Sequence, residues 1–195
     1  MPGPYEGVHA FAFLVAEDEF SLESVIGNLR RQIDRENGPV FFAGPCEGAF
    51  QGFVHVAADD VPAVGELVDG LLWDAGIRTD YAVESQTHKN DAPVPMGPRR
   101  TSPRFNALCR VHANQRPTQV LQNIADRFGD AVDESGHSRS PFVGGSTVIA
   151  RFHLLVQLGA DDREALDRYV EVLGAIDGVD RVEVAVSEEG PKQAT

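Results

Sequence analysis

Residues 152–187 predict a strand, a helix and a second strand, in the sequence FHLLVQLGADDREALDRYVEVLGAIDGVDRVEVAVS. A related stretch lies earlier in the chain, at residues 50–83, and reads FQGFVHVAADDVPAVGELVDGLLWDAGIRTDYAV. The two stretches align with a single one-residue gap after Ile77. The identical pairs are Phe50 and Phe152, Val54 and Val156, Ala58 and Ala160, Asp59 and Asp161, Asp60 and Asp162, Ala63 and Ala165, Val68 and Val170, Leu71 and Leu173, Gly76 and Gly178, Arg78 and Arg181, Ala82 and Ala185, and Val83 and Val186. A repeat of this length predicts two similar domains in tandem.

The size and charge of the chain narrow the classes of function. Its 195 residues suffice for two domains of about 80 residues each. A formal net charge of -13 and a pI near 4.8 disfavour direct nucleic acid binding, which needs a basic surface. No apolar run is long enough to span a bilayer, and the N-terminus lacks the pattern of a signal peptide. We therefore expect a cytoplasmic protein without membrane association or direct nucleic acid binding.

The first half predicts the order strand, helix, strand, strand, helix, strand. An alternating pattern starts the first strand at Val8, and Ser21 is the predicted N-cap of the first helix. The apolar positions of that helix are Leu22, Val25, Ile26, Leu29 and Ile33. The later strands are predicted at residues 40–43, 50–57 and 79–84. Asp59 or Asp60 is the predicted cap of the second helix.

The second half repeats this order up to one long segment. A strand is predicted at residues 105–113 and a helix at 117–128, whose apolar positions are Val120, Leu121, Ile124 and Phe128. Asp161 and Glu164 have the spacing of a capping box. The segment Asp133–Ser146, DESGHSRSPFVGGS, is rich in glycine and serine, which predicts a long loop that is either a lid or disordered.

The predicted fold class is α+β, with two tandem ferredoxin-like βαββαβ domains. The first repeat spans residues 8–85 and the second 104–188, joined by a Pro-rich linker at 86–103. Each domain covers one face of its antiparallel sheet with two helices and leaves the other face without helices. Because that uncovered face needs a partner, we expect the two sheets to pack as a pseudo-dimeric α/β barrel.

Strand alternation predicts which side chains lie on the helix-free faces. In this assignment Phe50 and Phe152 belong to the helix-covered faces. The polar residues on the helix-free faces are candidates for ligand binding, and they are His9, Gln51, His55, Arg110, His112, Arg151, His153 and Gln157. Arg110, His112 and His153 are expected on neighbouring strands, where they would hold a carboxylate. Each residue alone would equally suit an ordinary interface hydrogen bond.

Metal and cofactor motifs are not found in the sequence. The histidines show no HxxxH or HxH spacing, and there is no P-loop or dinucleotide fingerprint. Cys46 and Cys109 lie one in each half without metal-ligand spacing, which predicts buried, reduced thiols. We therefore expect no metal and no cofactor.

The repeated stretches resemble the ligand-binding domain of the Lrp/AsnC regulators, also called the RAM domain. The residues that carry the resemblance are VHVAADD at 54–60, Glu66–Val68, GIRTD at 76–80, RFHLLVQ at 151–157, Ala160–Asp162, Ala165 with Leu166, and GVDRVE at 178–183. More broadly, the pattern is similar to the dimeric α/β-barrel superfamily. The resemblance implies a stand-alone protein that binds an amino acid or related metabolite and regulates a partner. Nothing before Val8 predicts a helix-turn-helix, so direct transcription-factor activity is not implied.

Two other functions are compatible with the same sequence. The first is a dimeric α/β-barrel enzyme of secondary metabolism, a cofactor-independent monooxygenase or cyclase with its cavity between the two sheets. In that enzyme His112 or His153 is the acid or base, Arg110 holds an anionic oxygen, and the segment 133–146 is a lid. The second is an interaction module without a ligand. The expected partners are a small-molecule ligand and, in a homodimer or higher oligomer, further copies of the chain.

Overall fold

The computed structural model describes residues 7–16, 19–33, 39–72, 77–84, 103–129 and 140–188. The chain divides into two compact units, residues 1–84 with 191–195 and residues 85–190. The predicted linker at 86–103 lies outside the described residues except for Pro103. In the part of the chain that the structure describes, no helix has the length and apolar character needed to cross a membrane.

The first unit is a four-stranded antiparallel sheet with two helices on one face. Its elements are β1 (Val8–Ala16), α1 (Glu19–Ile33), β2 (Val40–Pro45), the two-residue β3 (Glu47–Gly48), β4 (Gly52–Ala58), α2 (Val61–Leu72) and β5 (Ile77–Glu84). The four longer strands pair in the order β2-β4-β1-β5. This order, with the helices as crossovers, is the ferredoxin-like arrangement that the sequence predicted.

The second unit has the same order of elements and of paired strands. Its elements are β6 (Phe105–Ala113), α3 (Pro117–Phe128), β7 (Phe142–Ile149), β8 (Leu154–Ala160), α4 (Arg163–Gly174) and β9 (Val179–Ser187). The strands pair antiparallel in the order β7-β8-β6-β9. The predicted α+β class is therefore correct.

The sequence repeat corresponds to a repeat in strand register. Opposite residues in the first unit match opposite residues in the second, as in Ala10 with Val83 and Ala107 with Val186, Phe11 with His55 and Leu108 with Gln157, and Phe13 with Asp80 and Arg110 with Glu183. Positions on the two helix-free faces can consequently be compared one for one.

The helices pack through the positions that their periodicity predicted. In α1, Leu22, Val25, Ile26 and Leu29 are buried in the core of the first unit. In α3, Val120, Leu121, Ile124 and Phe128 are buried in the core of the second. Cys46 and Cys109 are free, buried thiols as predicted, and burial raises the pKa of each to about 12.

Two of the predicted helix starts are wrong, by three residues in α1 and by one residue in α4. Helix α1 begins at Glu19, before Ser21, so Ser21 is not its N-cap. Helix α4 is capped by Asp162, whose Oδ1 accepts a hydrogen bond from the Ala165 N–H at 2.7 Å, and not by Asp161. The predicted cap of α2 is correct, since Asp60 Oδ1 accepts from the Ala63 N–H at 2.8 Å.

The predicted loop at 133–146 is wrong over its last five residues. Residues 142–146 belong to β7, which pairs with β8 through Gly144 opposite Gln157 and Gly145 opposite Val156. Residues 133–139 lie outside the described residues. Gly145 faces helix α3, where a Cβ atom would come within 2.7 Å of Leu121 Cδ1. Glycine is present here because helix α3 approaches the strand closely. The glycine and serine content of the segment predicted a loop and gave no sign of this contact.

Replacing Gly145 by alanine is expected to lower the free energy of unfolding by about 1–2 kcal/mol, because the added methyl group overpacks the contact with Leu121. Gly144 is the matched control, since its Cβ would meet nothing within 4 Å and its replacement should change stability by less than about 0.5 kcal/mol. Urea unfolding of both variants measures the difference. Equal stability of the two would contradict this account of the α3–β7 packing.

Candidate functional site

The helix-free face of the first unit carries a cluster of aromatic and histidine rings. Opposite residues in an antiparallel pair share a face, and Phe11 lies opposite His55 while Phe13 lies opposite Phe53. The face was predicted correctly for the alternating residues of β1 and β4. His9 and His55 are half-buried on it. We use the name His9–His55 cluster for His9, Phe11, Phe41, Phe42, Phe53 and His55.

The two histidines of this cluster are directly hydrogen-bonded. His9 Nδ1 lies 2.9 Å from His55 Nε2, and the ring centroids are 5.1 Å apart. Phe41 lies 5.6 Å from His9 and 5.2 Å from His55, centroid to centroid. Phe11 lies 4.8 Å from His55 and stacks on Phe53 at 5.9 Å. The histidine pair is therefore packed among phenylalanine rings.

The hydrogen bond allows two arrangements of the protons in this pair. One ring nitrogen must donate and the other must accept, because two neutral imidazoles share one proton in such a contact. If His9 Nδ1 donates, His9 Nε2 holds a lone pair and His55 Nδ1 holds a proton. If His55 donates, the assignments are exchanged. In either state the neutral pair presents one basic nitrogen and one N–H group.

The second unit has an amide pair at the equivalent positions. Gln157 Nε2 donates to Asn106 Oδ1 at 3.1 Å, and Asn106 Nδ2 donates to the Pro103 carbonyl oxygen at 3.2 Å. An amide pair neither titrates near neutral pH nor ligates iron readily. The two helix-free faces have thus diverged chemically at matching positions.

A charged cluster lies elsewhere on the helix-free face of the second unit. Glu183 Oε2 lies 3.3 Å from Arg110 Nε, and Glu183 Oε1 lies 3.2 Å from His112 Nε2 and 2.9 Å from Arg181 Nη2. The Arg110 guanidinium also lies over the Phe152 ring at 5.6 Å. We call Arg110, His112, Arg181 and Glu183 the Glu183 cluster.

The Glu183 cluster contains a central residue that was not among the predicted site residues. Arg110 and His112 were predicted, and the structure brings them to the same carboxylate. The place of Glu183 between Arg110 and His112 depends on the strand register, which the alternation of side chains alone does not give. The repeat offered one signal, because Glu183, which lies opposite β6, aligns with Asp80, an acidic residue that lies opposite β1.

Gln51 and His153 occupy matching positions in the repeat, and the side chain of each accepts a hydrogen bond from a backbone N–H. The Gln51 side-chain oxygen accepts from the Ala16 N–H at 2.8 Å, and His153 Nδ1 accepts from the Ala113 N–H at 2.9 Å. Both are exposed residues that tie the chain before β4 or β8 to the end of the neighbouring strand. His153 also lies near His112, with ring centroids 6.4 Å apart. Arg151 is exposed in the bend before β8.

The predicted placement of Phe50 and Phe152 is wrong. Phe50 packs edge-on against Phe13 at 4.9 Å, and Phe152 lies 6.5 Å from His112, so both contact the helix-free faces. Each residue comes two positions before its strand, since β4 begins at Gly52 and β8 at Leu154. The alternation of side chains holds only within a strand and does not extend into these bends.

Across the described ranges, no three histidine, cysteine, aspartate or glutamate side chains come together in a way that would hold a metal ion. The His9–His55 cluster is held together by ring contacts and a hydrogen bond. The Glu183 cluster is held together by ion pairs. Each contains histidines that are near other polar or aromatic groups on a sheet face.

No known protein family matches the sequence, and no curated protein matches it either. Solved structures do match. The siroheme decarboxylase NirDL superposes with a TM-score of 0.60 at 10% identity, over 93% of this chain and 71% of that chain. A mutant chlorite dismutase from Candidatus Nitrospira defluvii superposes with a TM-score of 0.56 at 6% identity, over 92% and 90%. A protein assigned to the dyp-type peroxidases, from Shewanella oneidensis, does so with 0.56 at 8% identity, over 95% and 92%.

These comparisons overturn the resemblance to the Lrp/AsnC ligand-binding domain and the amino-acid-sensing function that it implied. The structures to which the chain is similar are a decarboxylase, a dismutase and a peroxidase. Three of the residues that carried the resemblance serve the fold. Asp60 and Asp162 cap helices, and Gly178 has a φ of 90° where a Cβ would come within 2.6 Å of Val120. At these low identities, the comparisons establish a shared ferredoxin-like fold.

Proposed function

We propose that this chain is an enzyme that binds a tetrapyrrole on the helix-free face of its first unit. The observation that carries the proposal is the hydrogen-bonded His9–His55 pair set among phenylalanine rings. The fold likeness to a siroheme decarboxylase supports it, because siroheme is an iron tetrapyrrole. The proposal replaces the amino-acid-sensing function that was predicted from the sequence. It keeps the alternative prediction of an enzyme, but with a bound tetrapyrrole in place of cofactor-independent chemistry.

The first requirement of a tetrapyrrole is a broad apolar surface for its flat ring. Aromatic side chains meet this need through stacked and edge-on contacts. Phe41 and Phe42 are half-buried on β2, an outer strand of the first unit's own sheet, and Phe11 and Phe53 are buried beside them. The cluster therefore combines two buried rings with two half-buried ones.

The second requirement is an imidazole nitrogen for the iron, and the residues present fit it. A histidine that ligates a metal usually donates its other ring N–H to a fixed acceptor, which orients the ring and raises its basicity. The contact between His9 Nδ1 and His55 Nε2 provides that arrangement within the pair. One histidine would hold the iron, and the other would orient the ring of that iron-binding histidine. When bound, an iron tetrapyrrole supplies redox and Lewis-acid chemistry at the iron.

The charged residues of the second unit remain candidates for holding an anionic group of a ligand. Arg110, His112 and His153 were predicted for this role, and guanidinium groups hold carboxylates through paired hydrogen bonds. Packing of the two sheets as a pseudo-dimeric barrel, a homodimer or higher oligomer, the absence of direct nucleic acid binding and a cytoplasmic location also remain predictions from the sequence.

A second candidate is an enzyme that acts on a planar aromatic substrate without a cofactor. The observation that favours it is the shared proton of the His9–His55 pair, which offers one basic nitrogen and one N–H group at the same place. Such a pair is suited to remove a proton from a substrate and return it to a neighbouring atom. The phenylalanine rings would bind the substrate plane in the same way in both candidates.

A visible absorption titration separates the two candidates. The purified full chain is titrated with siroheme, hemin and iron-free protoporphyrin, and native mass spectrometry measures the stoichiometry. We expect saturable binding of an iron tetrapyrrole at or below about 10 µM, with an iron band that differs from that of the free compound. Absence of saturable binding by all three would contradict the tetrapyrrole proposal. Binding of protoporphyrin as tightly as hemin would argue against an iron–histidine bond.

A further inference from the structure

The two histidines of the His9–His55 cluster use different ring nitrogens in the hydrogen bond that joins them. The contact runs from His9 Nδ1 to His55 Nε2 at 2.9 Å. A histidine of this pair that holds an iron must use its other nitrogen, which is Nε2 in His9 and Nδ1 in His55. Nδ1 lies beside the Cβ atom, close to the backbone, whereas Nε2 lies at the tip of the ring. The two histidines are therefore not equivalent as iron ligands.

We infer that His9 Nε2 is the nitrogen that holds the iron, and that His55 is a positioning residue that acts through His9. This assignment rests on the proposed tetrapyrrole site. In this state His9 Nδ1 carries the proton and donates it to His55 Nε2. A fixed acceptor at the second nitrogen orients the ligand ring and raises the basicity of the nitrogen that binds the metal.

Large side chains from both neighbouring strands surround the base of His55. Strand β4 lies between β1 and β2, and His55 lies opposite Phe11 on β1 and Phe42 on β2. Opposite residues have Cβ atoms about 4.5–5.5 Å apart, and the Phe11 ring lies 4.8 Å from the His55 ring. A flat tetrapyrrole bound at Nδ1 would need the space beside the backbone that these two side chains occupy. His55 Nδ1 is thus poorly placed to hold the iron.

A β-bulge in β2 places a further phenylalanine ring beside His55. The register of β2 with β4 shifts between Val40 and Phe42, so that Phe41 and Phe42 together oppose His55. Consecutive residues of a regular strand point to opposite faces. Here, however, Phe41 lies 5.2 Å from His55 and Phe42 lies 5.8 Å from Phe53, both on the helix-free face. Bulges re-aim side chains in this way and are common beside active sites. The bulge therefore adds to the enclosure of His55.

His9 has a small neighbour at the opposite position. It is the second residue of β1, near the end of that strand, and it lies opposite Ala57. A methyl group at that position leaves the tip of the ring more room than a phenylalanine side chain would. Phe41 packs against the His9 ring at 5.6 Å, and together with the hydrogen bond to His55 it limits rotation of the ring. His9 Nε2 is thus the better placed of the two remaining nitrogens.

The second unit shows that a glutamine at position 55 can reach position 9. In the repeat Gln157 matches His55 and Asn106 matches His9, and Gln157 Nε2 donates to Asn106 Oδ1 at 3.1 Å. In His55→Gln the amide can turn its oxygen towards His9 Nδ1 and accept the same proton. An amide is a poor ligand for iron in comparison with an imidazole. This substitution therefore keeps the positioning role and removes the capacity to hold iron.

The matched substitutions His9→Gln and His55→Gln test the assignment in the full chain. Each variant is titrated with hemin, and the visible absorption and EPR spectra of the bound iron are compared with those of the unmodified chain. In His9→Gln we expect the spectrum of histidine-bound iron to be lost and hemin affinity to fall at least about 100-fold. In His55→Gln that spectrum should remain, and the affinity should fall less than about 10-fold.

The reduction potential of the bound iron tests whether His55 acts through His9. In His55→Leu the proton on His9 Nδ1 loses its acceptor, which lowers the basicity of Nε2 and should raise the potential. His55→Gln should return the potential towards that of the unmodified chain, because it restores an acceptor. Equal potentials in the unmodified chain and both variants would show that His55 has only a structural role.

The outcomes separate a wrong assignment from a wrong function. Binding of iron-free protoporphyrin by both glutamine variants shows that the aromatic face is intact. A histidine-bound spectrum in His9→Gln, or its loss in His55→Gln, would overturn the assignment and leave the tetrapyrrole site in place. If the unmodified chain binds no tetrapyrrole, the proposed function fails and the assignment fails with it.

Discussion

Replacement of His9 or His55 by alanine is expected to remove iron-dependent tetrapyrrole binding. Of the two variants, the one lacking the iron ligand should bind hemin at least about 100-fold more weakly. The other loses only the group that orients the ligand, which commonly weakens metal binding about 10- to 100-fold. The physical reason is the 2.9 Å contact between His9 Nδ1 and His55 Nε2. The measurement is a hemin titration followed by visible absorption.

The controls separate an iron–histidine bond from simple apolar binding. Iron-free protoporphyrin should bind both variants and the unmodified chain with similar affinity, because the phenylalanine rings are unchanged. His153→Ala removes a histidine of the second unit that is tied to the Ala113 backbone, and hemin binding should be unaffected. If both His9→Ala and His55→Ala bind hemin as the unmodified chain does, the cluster does not hold the iron.

Local patterns in the sequence predicted most of the fold because they reflect local physical rules. Strand β6 and helix α3 have the predicted bounds, since strand alternation and helical spacing persist through them. The helix-free face of β1 was predicted in the same way from His9. Phe11 and Phe13 lie on that face too. The errors at Phe50 and Phe152 arise because both residues lie in bends, where strand alternation does not hold. The error at β7 arises because the close approach of helix α3 requires glycine in that strand.

The pairing of site residues depended on information that a single strand does not contain. His9 and His55 lie 46 positions apart, and His112 and Glu183 lie 71 apart. Alternation assigned each residue to a face, but the strand register decides which side chains meet. Glu183 was missed as a site residue for this reason. The function predicted from resemblance failed for a different reason, because capping aspartates and a turn glycine are required by the fold whatever it binds.

Replacement of Glu183 by alanine is expected to destabilise the second unit by about 2–3 kcal/mol. Removing one partner of a buried ion pair costs about 3–5 kcal/mol, and the partial exposure of Glu183, 29%, reduces that value through solvent screening. The cost arises because Arg110, whose side chain is only 10% exposed, loses a carboxylate partner. Arg181 and His112 lose the same partner. Urea unfolding of the full chain measures the change.

Glu188 provides a matched control one residue beyond the end of the same strand. Its Oε1 lies 2.9 Å from Arg104 Nη2, as short a contact as that of Glu183 with Arg181, but both side chains are about two-thirds exposed, at 65% and 66%. An exposed pair contributes about 0–1 kcal/mol, so Glu188→Ala should be nearly neutral. Equal losses in the two variants would show that the Glu183 cluster is solvated like an ordinary surface pair. A large loss confined to Glu183→Ala would show that its carboxylate organises the basic residues around it.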